Sequence, residues 1–188
     1  MYKKLRIVDI AKVEPELLGY AVEHSVEIAL RKKLEGRIDK KLGMIIAVIE
    51  VIEVGEGHII AGDGAVYYET TFDAIVYKPE LQEIVEGKVV EILDYGAFVE
   101  LGPLDGLLHV SQITSGYMSY DKKNARLISK DGKRVIKVGD RVRARVVTVS
   151  LNEREPRASK IGLTMRQVAL GKLEWLEDAR KKLEELHW

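Results

Sequence analysis

Gly87-Lys88-Val89-Val90-Glu91-Ile92-Leu93-Asp94-Tyr95-Gly96-Ala97-Phe98-Val99-Glu100-Leu101 is the stretch whose reading decides the fold. Val, Ile and Leu alternate with polar residues as far as Leu93, which predicts a strand. Asp94-Tyr95-Gly96 is a tight turn, and 97–101 is the return strand. Gly102-Pro103 turns the chain again, and Asp105-Gly106-Leu107-Leu108-His109-Val110 is a third short strand. After a polar stretch, 114–134, Gly139-Asp140 introduces a long alternating strand from Val142 to Leu151. Arg141, Arg143 and Arg145 lie on one face of it, with Val142, Ala144 and Val146 on the other. Residues 152–158 form a charged loop, and 161–165 is a fifth strand. Five antiparallel strands with turns at this spacing predict a small closed barrel.

On the amino-terminal side the texture differs. Residues 2–13 alternate as a strand. Pro15 opens a predicted helix of about 20 residues, with Glu14 and Glu16 in its first turn, where the helix dipole favours negative charge. Leu17, Leu18, Ala21, Val22, Ser25, Ile28, Ala29 and Leu34 recur at spacings of three and four, and Gly36 follows as a stop signal. Strands are predicted at 43–54, 58–61 and 65–77, the last two joined by the hairpin turn Gly62-Asp63-Gly64. One helix against an antiparallel sheet makes this an α+β domain. The expected division is 1–80 and 81–188. The last 22 residues read as a helix, with Val168, Leu173, Leu176, Ala179, Leu183 and Leu186 on one side. That side either packs on the barrel or meets a partner.

Composition bounds the function. The chain has 188 residues, 46% hydrophobic and 32% charged, which is globular. It contains no cysteine, which excludes a disulfide scaffold, a thiolate metal site and a thiol nucleophile. The longest apolar run, 44–49, is far shorter than the roughly 20 residues a membrane helix needs. No apolar signal core follows Met1, so a cytoplasmic protein without a membrane partner is expected. The 30 basic and 30 acidic residues cancel, but not locally: residues 81–121 hold one base and seven acids, and residues 122–166 hold 14 bases and four acids. That second segment is the electrostatic footprint of a nucleic-acid partner.

No nucleophile–base pair, phosphate-binding glycine loop or metal-ligand spacing is present, so neither catalysis nor a cofactor nor a metal is expected. Glu153 and Glu155 lie in the charged loop and read as solvated. His24, His58 and His187 have no metal spacing. What the residues offer instead is binding chemistry. Tyr95 and Phe98 sit where their rings can stack on unpaired bases, His109 can stack or donate a hydrogen bond, and the arginines at 141, 143 and 145 can meet phosphates. Each has a plainer alternative: Phe98 as barrel core, Tyr95 as a turn residue, His109 as a structural histidine, the arginines as a solvated strand face.

The order Gly-Lys-Val, Asp-Tyr-Gly-Ala-Phe-Val-Glu-Leu, Asp-Gly-Leu-Leu-His-Val-Ser, with Gly139-Asp140-Arg141-Val142 and Ile161-Gly162-Leu163-Thr164 later, resembles the RNA-binding barrel named after ribosomal small-subunit protein one, an OB-type fold. The resemblance implies that Tyr95, Phe98 and His109 contact RNA. The chain departs from that pattern at Ser150, where an Asp is usual, and in the longer loop carrying Arg154, Arg157 and Lys160, which add candidate phosphate contacts. Residues 114–134 are a larger insertion than the motif needs.

The first 80 residues, with Met1-Tyr2-Lys3, the helix after Pro15, the Gly62–Gly64 hairpin and Tyr67-Tyr68-Glu69-Thr70-Thr71-Phe72-Asp73-Ala74-Ile75-Val76-Tyr77-Lys78-Pro79, are similar to the family of the archaeal RNA polymerase E-prime protein and the eukaryotic seventh polymerase subunits. This implies a truncated RNP-like tip domain docking on the RNA polymerase core, the RNA-binding barrel behind it, and a stalk heterodimer with the small F protein of the polymerase. It further implies contact with emerging single-stranded RNA and a role in open-complex formation and processivity. The tip Gly62, Asp63 and Gly64 is the candidate docking element. An RNA-binding cap subunit of an exosome-like complex is the alternative that shares the barrel.

Overall fold

The computed structural model describes residues 1–185, so the expectations at Leu186 and His187 lie outside the described residues. The chain divides into two compact units: Met1–Lys78 with Leu151–Pro156, and Pro79–Ser150 with Arg157–Trp188.

In the first unit, β1 (Tyr2–Val13) pairs antiparallel with β4 (Val66–Tyr77) over its whole length, from Tyr2 opposite Tyr77 to Val13 opposite Val66. β3 (Gly43–Ile59) covers the other edge of β4, and β2 (Ile38–Asp39) adds a short outer strand, giving the order β1-β4-β3-β2. Helix α1 (Val22–Leu34) lies on one face. Its Val26, Ala29 and Leu30 pack with Ala11, Val13, Ile45, Val48, Phe72, Ala74 and Val76. Burying each large apolar side chain contributes about 1.5–3 kcal/mol, which offsets the entropy of ordering helix and sheet.

Two sequence expectations are corrected here. The predicted 20-residue helix is split into a 3-10 turn, Pro15–Leu17, and α1. Gly19 falls in the gap, where a helical glycine costs about 1 kcal/mol, and Ala21 is extended at φ −57°, ψ 139°. Ser25 Oγ donates to the Leu17 carbonyl at 2.7 Å and the Ser25 N–H to the Ala21 carbonyl at 3.0 Å, so the joint keeps its acceptors paired. The strands expected at 43–54 and 58–61 are one continuous β3. Its register against β4 shifts four times, and each bulge bends the strand. Gly57 stays inside it because a Cβ there would lie 2.8 Å from Tyr68 and 2.9 Å from Val66.

In the second unit, β5 (Ile84–Leu93), β6 (Gly96–Glu100), β7 (Asp105–His109), β11 (Arg141–Ser150) and β12 (Lys160–Thr164) form the barrel. The order is β12-β7-β6-β5-β11, and β11 pairs with β12 to close it. Val89, Ile92, Ala97, Val99, Leu108, Val142, Ala144, Val146, Ile161 and Leu163 are the buried apolar positions of these strands. One pairing is not antiparallel as expected: β12 runs parallel to β7, Ile161 opposite Gly106. The long connection between them supplies the crossover that a parallel pair requires.

That connection is not an unstructured loop. It contains a second sheet of β8 (Met118–Asp121), β9 (Arg126–Ser129) and β10 (Val135–Lys137), built on the buried Met118, Leu127 and Ile136. The terminal helix is also shorter than expected. α2 spans Leu173–Glu185, and Val168 lies before it, 97% exposed. Gly171–Lys172 forms β13 instead, pairing with Val142 and Arg143 on β11 beyond the part that β12 covers. Gly171 at φ +145° makes this path available, a backbone region that residues with side chains avoid. Among the described residues, no helix is long and apolar enough to cross a membrane.

Candidate nucleic-acid interface

The outer face of β6 and β7 carries the motif residues. Along β6, Ala97 and Val99 are buried while Phe98 is half-buried; along β7, Gly106 and Leu108 are buried while Leu107 is half-buried and His109 exposed. The period of two therefore puts Phe98, Leu107 and His109 on one side. The register sets Phe98 against Leu107 and Gly96 against His109. Gly96 leaves no side chain beside the His109 ring. Tyr95 occupies the turn before β6, exposed, and its carbonyl accepts from the Val110 N–H at 2.8 Å. Tyr95, Phe98 and His109 are thus brought to one region of the barrel by two adjacent strands and one turn.

His109 is oriented by its neighbours. The backbone N–H of Ser111 donates to His109 Nδ1 at 3.2 Å, and Ser111 Oγ lies 2.8 Å from the same nitrogen. A backbone N–H can only donate, so the proton of the neutral ring sits on Nε2. That leaves one N–H donor pointing away from the turn, suited to a base edge or a phosphate oxygen. Leu107 and Ser111 were missed by sequence reasoning. The alternation through 105–109 is the signal for Leu107; Ser111 carries none before the 3-10 turn Val110–Gln112 is known.

The arginines are arranged differently. Arg141 and Arg143 lie on β11 against β5, opposite Lys88 and Glu86. Arg143 Nε donates to Glu86 Oε1 at 2.8 Å, and an Arg141 terminal nitrogen lies 3.8 Å from Glu86 Oε2. One carboxylate therefore competes with any phosphate for both guanidinium groups. Arg145 faces Ile84 on one side and Thr164 on the other, and its Nε is buried without a hydrogen-bond partner. Arg157 lies in the 3-10 turn Pro156–Ala158, and Lys160 starts β12; both are exposed. Arg154 is exposed too, but in the segment that groups with the first unit, where Glu153 Oε1 accepts from the Lys40 N–H at 2.9 Å.

The hairpin between β3 and β4 is held from within. Asp63 accepts from the Ala65 N–H (3.1 Å) and the Tyr67 hydroxyl (2.6 Å), and pairs with Lys12 Nζ at 3.2 Å. These partners, the Tyr67 hydroxyl foremost, hold its carboxyl below the usual range. Gly62 has φ +87°, as the turn requires. Next to it Ile59 is 76% exposed and Ile60 is also exposed, so the hairpin presents apolar surface beside a rigid turn.

Two known families match different parts of the chain. Residues 78–161 match the S1 RNA binding domain, and residues 8–64 match the SHS2 domain found in the N terminus of Rpb7p/Rpc25p/MJ0397. The chain is 42% identical over 181 residues to the DNA-directed RNA polymerase subunit Rpo7 of Saccharolobus shibatae, covering 96% of this chain and all of the relative. It is 38% identical to Rpo7 of Sulfolobus acidocaldarius, over 94% of this chain and 95% of that one. A more distant relative is the DNA-directed RNA polymerase III subunit RPC8 of Bos taurus, 24% identical over 83% of this chain and 79% of that protein. An SHS2 sheet with one helix, an S1 barrel with its outward aromatic and histidine residues, and end-to-end similarity to archaeal Rpo7 lead to one conclusion: the chain belongs to the Rpo7 family of DNA-directed RNA polymerase subunits.

Proposed function

We propose that the chain is a non-catalytic stalk subunit whose barrel, within residues 81–188, holds emerging single-stranded RNA. The domain of residues 1–80 docks on the polymerase core. The observation that carries the RNA reading is the convergence of Tyr95, Phe98 and His109 on the outer face of β6 and β7 in an S1 barrel. Rings stack on bases of any sequence, so the interaction is sequence-tolerant. Arg141, Arg143, Arg145, Arg157 and Lys160 supply phosphate contacts, with Arg154 as a further cation. The exposed Ile59 and Ile60 beside Gly62, Asp63 and Gly64 support the hairpin as the docking element, because a rigid turn presents apolar surface at low entropic cost. The small F protein of the polymerase is the expected heterodimer partner, and holding RNA at the stalk supports open-complex formation and processivity.

The test is fluorescence anisotropy of the purified full chain with single-stranded RNA. Changing Tyr95, Phe98 and His109 together to Ala is expected to weaken binding at least about tenfold, given ~1–3 kcal/mol per stacked base. Unchanged affinity would remove the proposed face. Native mass spectrometry of the endogenous complex tests the assembly. Recovery of core subunits and a small helical partner is expected; exosome subunits in their place would overturn the assignment.

A further inference from the structure

The sheet inserted between β7 and β11 has no role in the reading above. Residues 114–137 carry seven basic and two acidic side chains. Both acids are already engaged. Asp121 pairs with Arg126 at 2.9 Å, and Asp131 accepts from Ser129 Oγ (2.5 Å) and the Lys133 N–H (3.2 Å). Lys122, Lys123 and Lys130 are exposed and form no side-chain ion pair among the described residues.

The surplus charge borders a cleft. Thr114, Ser115, Gly116 and Tyr117 form one wall; Ser129, Lys130, Asp131 and Arg134 form the other, around about 410 Å³. The Lys130 N–H donates to the Tyr117 carbonyl at 3.3 Å, which ties the walls together at one end. Arg134 is held in place from behind, its guanidinium 5.6 Å from the centre of the Trp175 ring. Tyr117 is 74% exposed, an aromatic ring that the fold does not use for packing. The cleft begins where the 3-10 turn after His109 ends, and that turn packs on β8.

We propose that this cleft is a second single-stranded RNA subsite that continues the path from His109. Tyr117 stacks on a base, and Lys130 and Arg134 meet the phosphates on either side of it. An exposed ring flanked by unneutralised cations is the combination that single strands use, and Asp131 leaves a positive balance in the cleft. The proposal rests on the barrel reading above and lengthens its binding track.

The full chain is titrated with oligouridine of about 4 and about 12 nucleotides, a short and a long length within the roughly 4–16 that OB folds bind. The double variant Tyr117→Ala, Lys130→Gln is expected to bind the longer RNA about fivefold more weakly and the shorter one as before. Its slope of log affinity against log salt falls by about 0.7 for the longer RNA, one phosphate contact's worth. Both side chains are exposed, so the variant keeps its circular dichroism spectrum. Unchanged affinity for the longer RNA overturns the subsite. So does cleft-dependent binding of a polyglutamate peptide without any effect on RNA, which would make the cleft a protein site. The Tyr95, Phe98 and His109 variant weakens both RNA lengths. Absence of that effect defeats the barrel reading, whereas an effect there with none in the cleft variant defeats only the subsite.

Discussion

Gly96 stands directly opposite His109 in the β6–β7 register, and a Cβ at Gly96 would press into the Leu108 carbonyl and the His109 backbone. The missing side chain lets the two strands approach and leaves the His109 ring beside an open patch. Gly96→Ala is therefore expected to destabilise the second unit by about 1–3 kcal/mol, the usual cost of overpacking. RNA affinity should fall with it, because His109 moves. Gly116→Ala is the control for stability, since its Cβ would meet nothing nearer than 3.9 Å. Thermal melts of the two variants, with RNA anisotropy of Gly96→Ala against the unaltered chain, check this; equal melts would refute it.

Glu86 restrains the arginine face. It holds Arg143 at 2.8 Å and lies 3.8 Å from Arg141. Replacing it with Gln should free both guanidinium groups for phosphate. An exposed pair is worth about 0.2–1 kcal/mol, so affinity for RNA should rise, by up to about fivefold. The salt dependence should also steepen by about 0.7 in slope for each phosphate gained. Titrations at several salt concentrations measure both effects. Weaker binding by Glu86→Gln would mean that the ion pairs shape the binding face instead of masking it.

A pH effect is expected in the first unit. Asp73 accepts from Arg6 at 2.8 Å and 3.2 Å and pairs with Lys4 at 3.0 Å. The Arg6 hydrogen bonds foremost, and then Lys4, lower its pKa to about 2. A carboxyl whose folded value lies below its unfolded value of about 3.9 stabilises the fold above that unfolded value. The contribution is lost as pH falls towards 2. Asp73→Asn should flatten the stability profile between about pH 4 and 2 and lower stability at neutral pH. Denaturant melts across that range, on both proteins, measure the difference.

Phe72 is the largest side chain fully buried in the first unit, between the sheet and α1. Phe72→Ala removes its contacts and leaves a cavity, at a cost of about 3–5 kcal/mol. Urea unfolding of the full chain reads this directly. A loss below about 1 kcal/mol would mean that helix and sheet collapse freely around the gap.

The barrel strands and the hairpin at Gly62 were legible because each is written in contiguous residues. Alternation, turn chemistry and the 87–111 motif act over a few positions, and β5, β6, β7 and β11 follow them closely. Several misread elements turn on a glycine. Gly57 and Gly171 act through backbone geometry set by distant partners, whereas Gly19 breaks the helix locally. Gly57 stays in β3 because Tyr68 and Val66 crowd it, and Gly171 carries the chain along the edge of β11.

By itself the sequence marked three rings and a run of cations as candidates to meet RNA. Only the tertiary structure decided which of those cations are free. Arg143 meets Glu86 from 57 positions away, and Arg141 meets the same carboxylate. Charge is a property of each residue and can be counted along the chain. Neutralisation depends on strand register and on distances of a few ångströms, which exist only once the barrel has closed.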